Sequence, residues 1–169
     1  MWVFDATPLI YLAKADALSY LRSLAIPRYI PEAIYEEVVT KGLDHDYPDA
    51  RRIERAVDAN TFKVVSVEET PLSDRLRRNP NLSDADVDVL VLAVERDSIA
   101  VMDEQYGRDV AATEEIPTRG TAYLLLSLVK EGTLTTDEAR RTIDAMLDSG
   151  WYCAPNLYAQ IIAKLDTLS

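Results

Sequence analysis

Short apolar runs alternate with longer stretches of helical periodicity along the chain, and this pattern predicts an α/β protein. The apolar runs predict strands near residues 2–5, 27–30, 62–66 and 98–102. Helical spacing of apolar residues predicts helices near residues 8–23, 31–41, 48–59, 83–96, 105–112, 119–131, 135–148 and 155–167. Strands separated by helices favour a three-layer α/β/α sandwich around a central, mainly parallel sheet.

The length and composition of the chain indicate one domain. Its 169 residues, 48% of them hydrophobic, are enough to bury a full core. We therefore treat residues 1–169 as one domain with a helical C-terminal extension from about residue 135. Residues 68–82, which include two prolines, are predicted to form a loop. Since neither a signal peptide nor an apolar span of about 18 residues is evident, we expect an intracellular, cytoplasmic protein.

Carboxylates follow two of the predicted strands directly. Asp5 ends the first apolar run, and Asp103 and Glu104 follow the run of residues 98–102. Ligands of open parallel sheets bind beyond the carboxyl ends of the strands, so these acids are candidate ligands for a metal or a substrate. Asp5 fits a helix cap equally well, because Pro8 suits a first helical turn.

Two predicted helices carry further acids near their starts. Glu36 and Glu37 follow a helix start at Pro31, and Asp86 lies in the first turn of a helix that Ser83 can cap. Negative charge is favourable at that end of a helix, so capping alone could explain Asp86. Four separate acidic positions on an α/β pattern nevertheless indicate a constellation rather than isolated caps.

The order and spacing of four short blocks resemble a PIN domain. The blocks are Asp5-Ala-Thr-Pro-Leu, Pro31-Glu-Ala-Ile-Tyr-Glu-Glu-Val, Leu82-Ser-Asp-Ala-Asp-Val-Asp-Val and Val101-Met-Asp-Glu-Gln-Tyr-Gly-Arg. The resemblance covers roughly residues 1–160, and the subfamily it indicates is the archaeal and bacterial group of VapC-type toxins. The chain departs from that pattern at Asp86, where relatives commonly carry Glu, and at Glu104, where they carry Asp. Both departures retain a carboxylate.

This resemblance implies a metal-dependent endoribonuclease that hydrolyses phosphodiester bonds of single-stranded or structured RNA, as the toxin of a toxin–antitoxin pair. By the resemblance, the catalytic and metal-binding residues are Asp5, Glu37, Asp86 and Asp103, with Glu104 assisting. Glu36 instead of Glu37, and Glu104 instead of Asp103, stay open as alternatives. Oxygen ligands suit Mg²⁺ or Mn²⁺, whereas a single His and a single Cys cannot build a zinc site.

Several other residues are candidates for supporting roles. Thr7 could orient a carboxylate or water as an outer-shell hydroxyl, or could simply lie at a helix entry. Arg108 could orient a carboxylate or contact phosphate, or form a surface salt bridge. Asp88 is expected on a solvated face. Arg75, Arg77 and Arg78 form the best basic run for RNA binding, with a solvated charge run as the ordinary alternative.

The charge of the chain bears on the substrate. With 29 acids against 18 Lys and Arg, the formal net charge of −11 repels RNA at low salt. The composition, 17 Asp and 12 Glu against 13 Arg and 5 Lys, resembles that of halophilic proteins from cells with molar internal salt. At ~1 M salt the Debye length is only ~3 Å, so local cations matter more than the net charge.

Partners and alternative functions follow from the same reasoning. The resemblance implies a homodimer and a small antitoxin protein; Trp151, Tyr152 and Tyr158 could hold either, or could pack in the core. The alternative function is a catalytically silent PIN-like scaffold that binds RNA or protein, against which the four acidic blocks argue. A phosphatase of the haloacid-dehalogenase type is disfavoured because it needs a second Asp where this chain has Thr7.

Overall fold

A five-stranded, entirely parallel sheet forms the centre of the computed structural model, which describes all residues from Met1 to Ser169. The strands are β1 (Trp2–Phe4), β2 (Arg28–Pro31), β3 (Lys63–Val65), β4 (Ile99–Val101) and β5 (Thr118–Arg119). Their spatial order is β3-β2-β1-β4-β5, and every neighbouring pair is parallel. The predicted three-layer α/β fold is confirmed. β5 was not predicted because its two polar residues carry no apolar pattern.

Helices connect the strands and flank the sheet. They are α1 (Ala6–Lys14), a 3-10 turn (Leu18–Leu21), α2 (Glu32–Tyr35), a π-helical turn (Glu36–Thr40), α3 (Lys41–Asp44), α4 (Pro48–Asp58), α5 (Pro71–Arg77), α6 (Asp84–Glu95), α7 (Gln105–Thr113), α8 (Thr121–Lys130), α9 (Thr136–Asp148) and α10 (Pro155–Leu168). None of them combines the length and the apolar character that a membrane-spanning helix needs.

Two of the predicted elements are wrong in detail. The helix predicted at residues 8–23 ends at Lys14, because Asp16 adopts a positive φ of 54° that an α-helix cannot continue through. The loop predicted at residues 68–82 contains α5. Thr70 and Ser73 cap that helix reciprocally, and Pro71 occupies its first turn, so local capping outweighs the turn signals of the prolines.

One hydrophobic core joins the sheet to its helices. It is a single cluster of 41 buried residues. Half of the residues of α6 belong to this cluster, and α6 packs on β1, β2 and β4. The C-terminal helices belong to the same core, because Ile161 and Leu165 of α10 are members of the cluster and α9 packs on α1.

The strand order positions the functional site. The chain moves from β1 to β2 and β3 on one side, and then crosses to β4 and β5 on the other. Connections after β1 and β4 therefore diverge, which opens a crevice at the carboxyl ends of these two strands. Asp5 directly follows β1, and Asp103 and Glu104 follow β4.

Candidate active site

Asp5 lies at the bottom of this crevice, with only 6% of its surface exposed. Its backbone N–H donates to the Val101 carbonyl at 3.0 Å, which ties the end of β1 to β4. Its Oδ1 accepts a 2.8 Å hydrogen bond from the backbone N–H of Ala6, so it also caps α1. The two interpretations of Asp5 from the sequence, helix cap and site carboxylate, are therefore compatible.

The surroundings of Asp5 strongly disfavour its ionised form. The pKa of its carboxyl is raised from 3.8 to about 7, chiefly by burial and in smaller part by the charges of Asp86, Glu37 and Glu104, against the lowering effect of the Ala6 N–H. The fold thus brings carboxylates from four separate segments into electrostatic contact. A cation bound among these residues would stabilise the ionised carboxyl of Asp5 against both its burial and the neighbouring negative charges.

Glu37 reaches the site from the π-helical turn between α2 and α3. The helix runs without interruption through this wider turn, since the residues at its junctions keep right-handed helical dihedrals. Glu36 and Glu37 are both exposed, but only the Glu37 charge acts appreciably on Asp5. π-helical turns occur frequently at functional sites. The alternation of apolar residues gave no indication of this one.

Asp86 is held in place by the start of α6. Its Oδ2 accepts a 3.0 Å hydrogen bond from the Ser83 backbone N–H, and the Ser83 hydroxyl accepts one of 3.0 Å from the Asp86 N–H. This capping box fixes the half-buried carboxylate at the positive end of the helix. Capping and a site role are again combined in one residue.

Asp103 and Glu104 have different environments although they are neighbours. Asp103 Oδ1 accepts from the Thr121 backbone N–H at 2.7 Å, and its Oδ2 accepts from the Thr121 hydroxyl at 2.8 Å and from Trp151 Nε1 at 3.1 Å. Glu104 is exposed, forms no side-chain hydrogen bond, and is the one of the two whose charge acts on Asp5. Asp103 thus ties together distant segments, while Glu104 contributes its charge to the surroundings of Asp5.

Asp5 and the acids around it have the ligand chemistry that a hard divalent cation prefers. They offer only carboxylate oxygens, which Mg²⁺ and Mn²⁺ prefer. Their side chains are not positioned as a complete coordination shell, because no group of three or more acidic, His or Cys side chains is arranged to hold an ion. Glu37 and Glu104 are exposed, so their side chains can rotate toward Asp5 without breaking a packed contact.

Thr7 and Arg108 lie beside the carboxylates. Both line a groove that also includes Asp103 and Glu104. The Arg108 guanidinium extends over Gly120, where an added Cβ would lie 3.3 Å from Arg108 Nη1 and 3.2 Å from Asp103 Oδ1. The absence of a side chain at Gly120 therefore leaves room for Arg108 to approach the site.

The basic run on α5 is largely engaged with acids. Arg77 forms ion pairs of 2.8 Å with Glu69, 2.9 Å with Asp84 and 3.0 Å with Asp88. Asp88 is consequently half-buried in an ion pair, and its predicted place on a solvated face is wrong. The pKa of Asp88 is raised by burial, against the lowering effect of Arg77.

The other two arginines of this run differ from Arg77. Arg75 forms a 2.6 Å ion pair with Glu114, which directly follows α7, whereas Arg78 is exposed and has no ion pair. Salt bridges at the surface contribute little to stability, so Arg75 can exchange Glu114 for another anionic partner at little cost. None of these three arginines lines the groove beside the carboxylates.

Comparison with known proteins agrees with this architecture. The family model DUF3368, described as a PIN domain, matches residues 1–167. A PilT N-terminus domain protein, SSO1118 from the hyperthermophilic archaeon Sulfolobus solfataricus P2, has a similar structure, with a TM-score of 0.53 and 14% sequence identity over 76% of this chain and 93% of that chain. No curated protein matches the sequence. The structural likeness concerns the fold alone, but the family match extends over almost every residue, and the chain belongs to the PIN domain family.

Proposed function

We propose that the protein is a metal-dependent ribonuclease that hydrolyses phosphodiester bonds of RNA. The observation that carries this proposal is the buried Asp5 at the crevice between β1 and β4, on whose carboxyl three further carboxylates act. PIN domains are generally nucleases, and the family membership supports the same class of reaction.

The proposed ligands are Asp5 and the three acids whose charges act on it. Asp5, Glu37, Asp86 and Glu104 would hold Mg²⁺ or Mn²⁺, which supplies charge neutralisation at a phosphodiester and lowers the pKa of a bound water. Burial fixes Asp5, and the capping box fixes Asp86, so these two form the rigid part of the site. Glu37 and Glu104 are exposed and form its adjustable part.

Asp103 has a supporting role in this proposal. Its three hydrogen bonds orient the turn that follows β4, and Glu104 is the next residue along that turn. A shift of Asp103 would therefore displace Glu104 from Asp5. The sequence-based assignment of Asp103 as a direct ligand is replaced in the proposal by Glu104.

The acidic blocks also support a more specific biological role for the proposed ribonuclease. Their order resembles that of VapC-type toxins, which supports a role as the toxin of a toxin–antitoxin pair. The acidic and lysine-poor composition supports activity at high salt, where repulsion between the protein and RNA is screened over ~3 Å at ~1 M salt.

The test is cleavage of labelled single-stranded RNAs of mixed sequence in molar potassium chloride, with Mg²⁺ or Mn²⁺ and with EDTA. We expect cleavage that requires the cation and is abolished in Asp5→Asn, which keeps an acceptor for the Ala6 N–H. Asp58→Asn is the matched control, because Asp58 is an exposed acid at the end of α4 with no side-chain partner. Equal cleavage by Asp5→Asn and wild type would overturn the assignment.

A further inference from the structure

A groove of about 780 Å³ continues from the carboxylate site toward the C-terminal part of the chain. Its lining includes Thr7 and Glu104 as well as Tyr152 and Leu157 from the C-terminal part of the chain. Because Thr7 lies two residues from Asp5 and the Glu104 charge acts on Asp5, a ligand with a phosphodiester at Asp5 can extend into this groove. The volume lies within the range of small-molecule sites, about 300–1,000 Å³, and is sufficient for a nucleotide.

Aromatic rings line this groove and are accessible in it. Tyr152 is 84% exposed and Tyr123 is 50% exposed, so both rings are accessible to a ligand. Neighbouring Trp151 is buried and uses its Nε1 to hold Asp103, which fixes the backbone from which Tyr152 projects. The Tyr152 ring is thus presented from a fixed backbone with nothing packed on it.

The groove also carries cations without acidic partners. Arg108 and Arg119 are its basic residues, and neither forms an ion pair. Arg119 donates to the Thr118 carbonyl and places its guanidinium carbon 4.9 Å from the centre of the Tyr123 ring. In a chain of net charge −11, two unpaired guanidinium groups beside a carboxylate cluster make this groove suited to an anion.

Exposed aromatic rings next to unpaired arginines match the chemistry of an unpaired nucleic acid strand. Bases stack on aromatic faces without regard to sequence, and guanidinium groups bind phosphates. We propose that the groove is a nucleotide subsite, in which a base next to the scissile phosphate stacks on Tyr152 while Arg108 and Arg119 bind the adjoining backbone. This proposal rests on the ribonuclease function and specifies how the substrate is held.

The first test measures binding without turnover. A short fluorescein-labelled single-stranded RNA is titrated with protein in EDTA and followed by fluorescence anisotropy. Tyr152→Ala should weaken binding about tenfold, within the range known for loss of one stacking contact. Tyr152→Phe should retain most of the affinity. Tyr47→Ala is the matched control, because Tyr47 is 51% exposed but lies outside the groove, and it should bind like wild type.

The second test separates this subsite from the catalytic proposal. In cleavage assays, Tyr152→Ala should raise KM with little change in kcat, whereas Asp5→Asn should lose kcat and still bind RNA. Cation-dependent cleavage with equal RNA affinity in Tyr152→Ala and wild type would overturn the subsite alone. Failure of the wild-type protein to bind or cleave RNA would overturn both proposals. A Tyr152→Ala protein that changes oligomeric state by light scattering, with unchanged RNA affinity, would identify the groove as a protein interface instead.

Discussion

The Trp151 indole donates a 3.1 Å hydrogen bond to the carboxylate of Asp103, from which it is separated by 48 residues in the chain. Through this bond the segment before α10 is linked to the turn after β4. Asp103 also accepts both hydrogen bonds of Thr121 at the start of α8. One carboxylate therefore connects three segments that surround the proposed site.

Replacing Trp151 by Phe tests the structural value of this link. Trp151→Phe keeps an aromatic ring and removes the N–H donor to a charged acceptor, so we expect a loss of about 1–3 kcal/mol in the free energy of unfolding. Urea denaturation measures this difference. A stability equal to that of wild type would show that the hydrogen bond contributes nothing.

Asp103 and Glu104 should respond to substitution in opposite ways. Asp103→Ala leaves the two Thr121 donors and the Trp151 N–H without their acceptor, and should cost about 2–4 kcal/mol of stability. Glu104→Gln changes an exposed side chain with no hydrogen bond, and should alter stability by less than about 0.5 kcal/mol while it reduces cation-dependent cleavage.

Thermal unfolding and the RNA cleavage assay together check this pair. The assignment of Glu104 as the functional acid would be contradicted if Glu104→Gln cleaved RNA at the wild-type rate. Asp103→Asn retains one carboxamide oxygen as an acceptor. The assignment would also be contradicted if this variant remained folded but bound metal no better than Asp5→Asn.

The raised pKa of Asp5 predicts a pH dependence of stability in the absence of divalent cations. The folded protein holds this proton up to a pKa of about 7, whereas the ordinary pKa of an aspartate is 3.8, so the folded state binds more protons between these two pH values. The stabilisation is complete below the lower pKa and is lost as pH rises through the higher one.

Asp5→Asn should remove this dependence. The variant should match wild type near pH 4 and exceed its free energy of unfolding by up to about 4 kcal/mol above pH 8, in EDTA. Urea denaturation of both proteins across this range gives the difference directly. A constant difference between the two proteins at every pH would mean that Asp5 titrates normally in the fold.

Arg77 should contribute to stability rather than to RNA binding. Arg77→Met removes the guanidinium that three carboxylates share and leaves Asp88 half-buried without a partner, so we expect a loss of about 1–3 kcal/mol. The comparison is Arg78→Met, an exposed site with no ion pair, where stability should change by less than about 0.5 kcal/mol. A marked loss of RNA affinity in the folded Arg77→Met protein would instead support RNA binding by the basic run of Arg75, Arg77 and Arg78.

The sequence predicted four of the five strands and the positions of the principal acids because both depend on local patterns. Apolar runs that end in an acid located Asp5, Asp103 and Glu104 at strand ends, and the Ser83 cap located Asp86 on a helix start. In a parallel sheet these ends lie at one edge, so the proximity of the acids followed from the fold class.

Features that depend on side-chain contacts were not predictable from local patterns. Nothing in the order Asp103-Glu104 indicates that Trp151 and Thr121 occupy the first acid and leave the second free. The π-helical turn that presents Glu37 produces no change in hydrophobic spacing. The three acids around Arg77 come from separate positions along residues 69–88, so only the folded chain reveals that they share one guanidinium.

Direct titration of the protein with Mn²⁺ by calorimetry, at pH 8 and in molar potassium chloride, tests the central claim without requiring knowledge of the RNA target. We expect saturable binding to wild type, binding of similar strength to Asp58→Asn, and loss of binding in Asp5→Asn. Absence of Mn²⁺ binding to the folded wild-type protein, or equal binding to Asp5→Asn, would contradict a metal-dependent site at Asp5 and would favour a PIN-like scaffold without catalytic activity.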